Sequence, residues 1–261
     1  MKELLIAIPV YNEANRIGDS IKKIVYFLDR KEVDYSIVLA VDKSPDNSEK
    51  VCLKLASTYD RVAAMVNDKK GGRGLAVRKA WLEHNAKVYG FIDADLSVGV
   101  ESLYDAYTII KEGRAQFVIG SRYSAGSRTS RPPLRRAVSF SYNVILQRLF
   151  NNSIKDYQCG LKVISDEILN SVIGLSRVDS WFWDAEIILL SLRLGFNVYQ
   201  MPVNWIEKKY KRTSVKRLLH DVILHGWGTI QVYKRLNLNP KIGKLKARDS
   251  RVNYNETTRK L

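Results

Sequence analysis

Two aspartates one residue apart, Asp93 and Asp95, follow an apolar run from Val88 to Ile92. A buried strand ends this way where it emerges at the carboxyl edge of a parallel sheet, the edge at which open α/β folds bind ligands. Alternate residues of an extended chain point the same way, so both carboxylates can face one centre. Two carboxylates meeting there repel each other unless a cation lies between them. Mg2+ or Mn2+, hard ions that take oxygen ligands, suit such a pair and bridge to a substrate phosphate. A turn acid followed by a helix cap gives the same triplet, so Asp93-Ala94-Asp95 is a site only in company.

Two cationic stretches offer that company. Lys69 to Arg78 sets three glycines (Gly71, Gly72, Gly74) among cations ahead of a helix through Trp81. Such a loop lets backbone approach an anion at a helix N-terminus, although a flexible basic loop reads the same way. It is neither a Walker loop nor a Gly-x-Gly-x-x-Gly fingerprint. Ser121 to Arg136 holds Arg122, Arg128, Arg131, Arg135 and Arg136 and no acid. Arginine forks match phosphate oxygens, and a like-charged cluster repels itself unless an anion neutralises it. Asp184 and Glu186 open an apolar helix after Trp181-Phe182-Trp183. The helix dipole alone accounts for acids there.

These groups need a scaffold. Leu4 to Pro9 is a continuous apolar strand, closed by Pro9, and Asn12 can cap the helix that carries Ile17, Ile21, Ile24, Val25 and Leu28. Further strands are expected at Tyr35–Val41, Val62–Val66, Val88–Ile92 and Phe117–Ile119, separated by helical patterns. That alternation predicts an α/β fold with a mostly parallel central sheet and helices on both faces. A loop over 121–133, a helix Leu134–Phe150, a short strand after Lys162, a helix around Ile168 and a strand Val198–Val203 complete it. From Ser214 to Arg235 the pattern is amphipathic, with Trp227 on the apolar side. Such a helix can lie on a membrane or pack on the domain.

Composition narrows the partners. The chain has 261 residues, 46% of them hydrophobic, enough for one large domain with an appendage. Cys52 and Cys159 lie far apart without metal spacing, which suits a reducing compartment. Net charge is +16, and residues 207–261 hold fifteen Lys or Arg against four acids. A basic end of this kind seeks an anionic partner. No nucleic-acid motif with stacking aromatics accompanies it, so no nucleic acid is expected. No signal peptide is visible, and no apolar run reaches the ~20 residues a spanning helix needs. The expected organisation is a catalytic domain at 1–210, an amphipathic segment at 211–239 and a basic, disordered tail at 240–261.

In this order the motifs resemble the family 2 glycosyltransferases of the GT-A fold, in particular the dolichyl-phosphate glucose synthases and their mannose relatives. Pro9-Val10-Tyr11-Asn12-Glu13 is similar to the first nucleotide motif. Asp42 to Ser48 is similar to the Asp-Asp-Gly-Ser-x-Asp-x-Thr motif, with Val41 for its first Asp and Lys43 for its Gly. Gly72-Arg73-Gly74-x-Ala76-Val77-Arg78 and Asp93-Ala94-Asp95-Leu96-Ser97 are similar to the next two motifs. Gly120-Ser121-Arg122 and Asp156-x-Gln158-Cys159-Gly160-x-Lys162 follow, with Tyr157 where Thr is common. Trp183-Asp184-x-Glu186 stands where the glucose synthases have Phe-Asp-x-Glu, and Pro202-Val203-x-Trp205 matches too.

The resemblance implies inverting transfer of one sugar from a nucleotide sugar to a dolichyl or polyprenyl phosphate. UDP-glucose is favoured and GDP-mannose is the alternative. It implies that Pro9, Tyr11, Glu13, Asp42, Arg73 and Ala94 line the donor site and that Asp93 and Asp95 hold Mg2+ or Mn2+. Arg122, Arg136 and Ser139 would take the acceptor phosphate, with Gln158 and Trp183 nearby. Asp184 and Glu186 would orient sugar hydroxyls or the metal, or act as base if the acceptor were a hydroxyl. A lipid acceptor implies a peripheral enzyme on the cytoplasmic side of a membrane. Competing readings are a family 2 enzyme acting on a saccharide or protein, a nucleotidyltransferase, and a non-enzymatic anion binder.

Overall fold

The computed structural model describes residues 1–68, 71–206 and 226–236. The chain opens with β1 (Lys2–Val10), α1 (Ile17–Arg30), β2 (Tyr35–Asp42), α2 (Ser48–Thr58), β3 (Val62–Asn67), α3 (Arg73–Glu83) and β4 (Ala86–Ile92). It continues through α4 (Val100–Lys111), β5 (Phe117–Ser121), β6 (Arg128–Ser130) and α5 (Pro133–Leu149). Then come β7 (Leu161–Ser165), α6 (Asp166–Ser171), α7 (Trp183–Arg193), β8 (Val198–Pro202) and β9 (Asn204–Ile206). A helix over 226–236, here α8, ends the described chain.

Seven strands form one sheet in the order β3-β2-β1-β4-β7-β5-β8. All neighbours are parallel except β7, which runs antiparallel to both β4 and β5. β1 shows why the strands read as unbroken apolar runs. Leu4, Ile6, Ile8 and Val10 enter the core under α1, α2 and α4, while Leu5 and Ala7 enter the opposite core with α3, α6 and α7. Both faces are covered, so period-two alternation has no polar face to show.

Three expectations are corrected. Asn12 does not cap α1: the helix starts at Ile17, and Asn12 takes a left-handed φ of 58° in the connecting turn. The 121–133 segment is not all loop. Its middle is β6, which pairs in parallel with β9 as a small second sheet. The expected last strand is two, β8 and β9, because the chain leaves the main sheet after Pro202 to pair with β6. The segment Ser214–Arg235 is described only from 226, and there α8 packs on the domain through Thr229, Val232 and Leu236. A Cβ on Gly228 would meet the Phe182 ring at 2.7 Å, so that glycine sets the approach of α8. The basic tail lies outside the described residues.

Candidate functional site

The sheet reverses its strand order at β1, which has β2 on one side and β4 on the other. The carboxyl ends of β1 and β4 therefore flank a crevice, the place where such sheets take ligands. Pro9 to Glu13 leave one strand there and Asp93 to Asp95 the other. The Asp93-Ala94-Asp95 turn is tightly fixed. Asp93 N–H donates to the Gly160 carbonyl (3.1 Å), Ser20 Oγ donates to the Ala94 carbonyl (2.7 Å), and Ser97 N–H donates to Asp95 Oδ1 (2.9 Å). Leu96 turns through a left-handed φ of 47°. A side chain at Gly160 would fall on the Asp93 carboxylate, so glycine is required beneath it.

Around Asp93 lies a buried charge network. Arg73, at the start of α3, places Nη1 3.4 Å from Asp93 Oδ1 and pairs Nη2 with Asp184 Oδ2. Lys162 on β7 is fully buried, 3.1 Å from Asp184 Oδ1, and donates to the Cys159 carbonyl (2.8 Å). Burial raises the Asp93 carboxyl, opposed by Arg73 and reinforced by the charge of Asp95. Burial, with the Arg73 charge beside it, pushes the Lys162 ammonium down to about 7. Asp184 is thus the shared anion of two cations and has no exposed surface.

The two carboxylates of Asp93 and Asp95 fit a hard divalent ion that takes its remaining oxygens from phosphate and water. Among the described residues no third Asp, Glu, His or Cys joins them. A closed all-protein cage is therefore absent there, which is the usual state of a site whose ion bridges to substrate.

The other donor-side residues sit as follows. Asp42 is buried and accepts from Asn67 Nδ2 (3.1 Å) and Gly72 N–H (2.9 Å), so it pins the glycine loop against β3. Glu13 N–H donates to Ser48 Oγ (2.8 Å), and Glu13 pairs with Arg16. Tyr11 is partly exposed at the crevice. Asp46, which the Asp42–Ser48 motif includes but to which sequence reasoning gave no role of its own, ties this rim together by accepting from Ala14 N–H, Ser44 Oγ, Ser48 N–H and Ser48 Oγ. Burial opposes its ionisation, but those hydrogen bonds prevail and bring its carboxyl down to about 2.

On the β5 side the expected trio separates. Arg122 turns inward and grips Asp156 with Nε (2.7 Å) and Nη2 (2.8 Å), its backbone N–H adding a third bond to the same carboxylate. Both side chains are buried, and Arg122 also covers the Trp205 ring. Burial opposes both charges, yet the pair holds Asp156 below the usual carboxylate range. Ser139 Oγ accepts from Arg131 Nη1 (3.1 Å), while Arg136 is exposed. Gln158 N–H donates to Asp156 Oδ1. Trp183 is buried against Trp81, with its ring N–H donating to Ser176 Oγ (3.2 Å). Glu186 is buried and has partners of its own. It accepts from Arg177 and Val178 N–H and pairs with Arg235 of α8.

Sequence reasoning named Asp156 and Lys162 without giving them a site role, and counted Arg235 among the cations that meet anionic headgroups, whereas it pairs with Glu186. Lys162 left a signal: a lysine inside an apolar strand, Leu161-Lys162-Val163-Ile164, needs a buried anion. Asp156 and Arg235 left none, since their partners lie 34 and 49 residues away.

α5 and α8 lie side by side, with Phe150 5.8 Å from Tyr233 ring to ring. Both carry exposed apolar side chains. Leu134, Phe140 (54% exposed) and Ile145 lie open on α5, and Trp227 (63%) and Ile230 on α8. Arg136 and Arg148 of α5 and Lys234 of α8 are exposed with them. Among the described residues no helix is long and apolar enough to cross a membrane.

Comparison with known proteins agrees with this fold. A sequence profile described as Glycosyl transferase family 2 matches residues 5–173. Glycosyltransferase AglD of Haloferax volcanii is 26% identical over 242 residues, covering 92% of this chain but 38% of that protein. The dolichyl-phosphate beta-glucosyltransferase of Saccharomyces cerevisiae is 28% identical over 223 residues, 78% of this chain and 67% of that one. Among solved structures, glucosyl-3-phosphoglycerate synthase of Mycobacterium tuberculosis, in complex with Mn2+, UDP-glucose and phosphoglyceric acid, aligns at a TM-score of 0.69. It is 16% identical, over 89% of this chain and 80% of that one. The fold is the GT-A arrangement of these structures. With the profile spanning well over half of its length, the chain belongs to Glycosyl transferase family 2.

Proposed function

We propose that this protein transfers one sugar from a nucleotide sugar to a polyprenyl or dolichyl phosphate, inverting the anomeric centre. One juxtaposition carries the reading. The aspartate pair lies on the same carboxyl edge as the arginine segment, and that segment runs into a helix with an uncovered apolar face. A donor diphosphate suits the first, and a phosphate on a lipid suits the other two together. Its similarity to the dolichyl-phosphate beta-glucosyltransferases of yeast and human favours glucose from UDP-glucose, with GDP-mannose as the alternative. A β product from an α-linked donor requires inversion.

Pro9, Tyr11, Glu13 and Asp42 hold base and ribose in the crevice beyond β1 and β2. Asp93 and Asp95 hold Mg2+ or Mn2+, and such an ion, when bound, offsets charge on the diphosphate and on the departing nucleotide. Ala94 and Arg73 complete the donor floor. Arg136, with Ser139 and Arg131 beside it, receives the acceptor phosphate. Arg122 acts one step back, fixing through Asp156 the turn that carries Gln158 and Gly160. A phosphate monoester is anionic at neutral pH and attacks without a general base. Asp184 therefore serves by holding Arg73 and Lys162 in place, and Glu186 by tying α7 to α8.

The apolar faces of α5 and α8, flanked by Arg136, Arg148 and Lys234, rest on an anionic membrane surface. Each cation near such a surface adds about 1 kcal/mol. Two free buried cysteines suit the reducing, cytoplasmic side. The test is a donor panel of UDP-glucose, GDP-mannose and UDP-N-acetylglucosamine with a short polyprenyl phosphate and Mn2+. Transfer from one of these to lipid supports the reading. Transfer only to saccharide or protein acceptors moves the protein to another branch of the family.

A further inference from the structure

Trp181 is 58% exposed, although the segment that carries it is among the most firmly anchored on this edge. Glu186 accepts from Arg177 and Val178 N–H at 3.1 and 2.9 Å. Leu75 N–H donates to the Asp179 carbonyl (3.1 Å), and Arg78 pairs with the Asp179 side chain. Gly72 and Gly74 leave no space for a Cβ against the Asp179 carbonyl and the Trp183 side chain. Trp183 N–H donates to the Ser180 carbonyl (3.1 Å). The backbone flanking Trp181 is thus fixed, and its large ring stands exposed.

Its surroundings place it in the donor site. The Arg73 guanidinium carbon lies 4.0 Å from the Trp181 ring centroid. The same guanidinium reaches Asp93 at 3.4 Å and pairs with Asp184. Trp181 thus stands one guanidinium away from Asp93, the carboxylate that would hold the metal ion of the donor diphosphate. A pyranose on the terminal phosphate leaves this point with ring hydrogens on its faces, and such partly positive hydrogens are attracted to a π face. We infer that Trp181 is the platform on which the transferred hexose stacks, making it a specificity-determining residue for the sugar rather than for the nucleotide.

This inference rests on the donor reading above, and calorimetry with Mn2+ separates the two. Affinities for UDP-glucose and UDP, and for GDP-mannose and GDP, are measured for the wild type, Trp181→Ala, Trp181→Leu and Trp181→Phe, with thermal unfolding as a folding check. In the pair the wild type binds, Trp181→Ala and Trp181→Leu should weaken the sugar nucleotide by about tenfold relative to its nucleoside diphosphate. Trp181→Phe should keep most of the sugar's contribution. Equal loss of both ligands would reduce Trp181 to a support for Arg73. An unchanged ratio with a raised KM for polyprenyl phosphate would assign the ring to the acceptor chain. Full retention by the leucine variant would exclude stacking. A wild type that binds none of the four would overturn the donor reading, and this inference with it.

Discussion

The two halves of the sheet edge are built on opposite plans. On the β1–β4 side the described polar groups are closed on one another: Asp42 with Asn67 and Gly72, Asp46 with the Ser44–Ser48 turn, Asp184 with Arg73 and Lys162. On the β5–α5 side the Arg122–Asp156 pair is buried and internal, while Arg136, Phe140 and Ile145 are exposed. A site that must place a diphosphate within tenths of an ångström benefits from preorganised dipoles. A surface that meets a headgroup and its lipid chain needs cations and apolar area open to the outside. The difference is what the proposal expects of a donor side and an acceptor side.

The strongest blow to the donor side is Asp95→Asn. The amide oxygen still accepts from Ser97 N–H, so the turn should persist while one anionic ligand is lost. Turnover should fall by about 10²-fold or more, with the unfolding transition little moved. Full activity in the variant, or in excess chelator, would remove the metal assignment. Next in size is Asp156→Ala, which strands a buried guanidinium. Breaking such a pair costs about 3–5 kcal/mol, read from urea unfolding. A loss under 1 kcal/mol would show that Arg122 is free to serve substrate directly.

Arg136→Ala separates the halves most cleanly. It removes an exposed cation from the acceptor side, so the KM for polyprenyl phosphate should rise about tenfold or more with nucleotide affinity unchanged. Equal loss of nucleotide binding would place Arg136 on the donor. The smallest effect is on pH. Asp46 has a folded pKa of about 2, below its unfolded value of about 3.9. Its contribution to stability is therefore complete above the unfolded value and fades as pH falls toward 2. Asp46→Asn should flatten the stability profile in that window, measured by denaturant titration at each pH.

The sheet was legible because each central strand is a single apolar run ending in Pro9, Asp42 or Asp93. The aspartate pair was legible for the same reason. β7 was legible as a strand, but nothing local tells that Leu161–Ser165 runs antiparallel between β4 and β5. β6 and β9 are three residues each, and Arg128-Thr129-Ser130 carries no strand pattern. The side-chain roles were the least legible part. Arg122 reads as a phosphate ligand in the chain and becomes an internal pair only when Asp156 arrives from 34 residues away. Glu186 likewise reads as a site acid until the 177–178 turn and Arg235 claim its oxygens.

One comparison of acceptors bears on the central claim most directly. The solved relative with phosphoglyceric acid shows that this fold also accommodates a small soluble phosphate compound. The protein, with UDP-glucose and Mn2+, is given a short polyprenyl phosphate in anionic vesicles or 3-phosphoglycerate in solution, and labelled sugar is followed into the organic and aqueous phases. Label in the organic phase, lost in Arg136→Ala, is the predicted result. Label entering only phosphoglycerate, with vesicles giving no advantage, would contradict the account of an open, lipid-facing acceptor side.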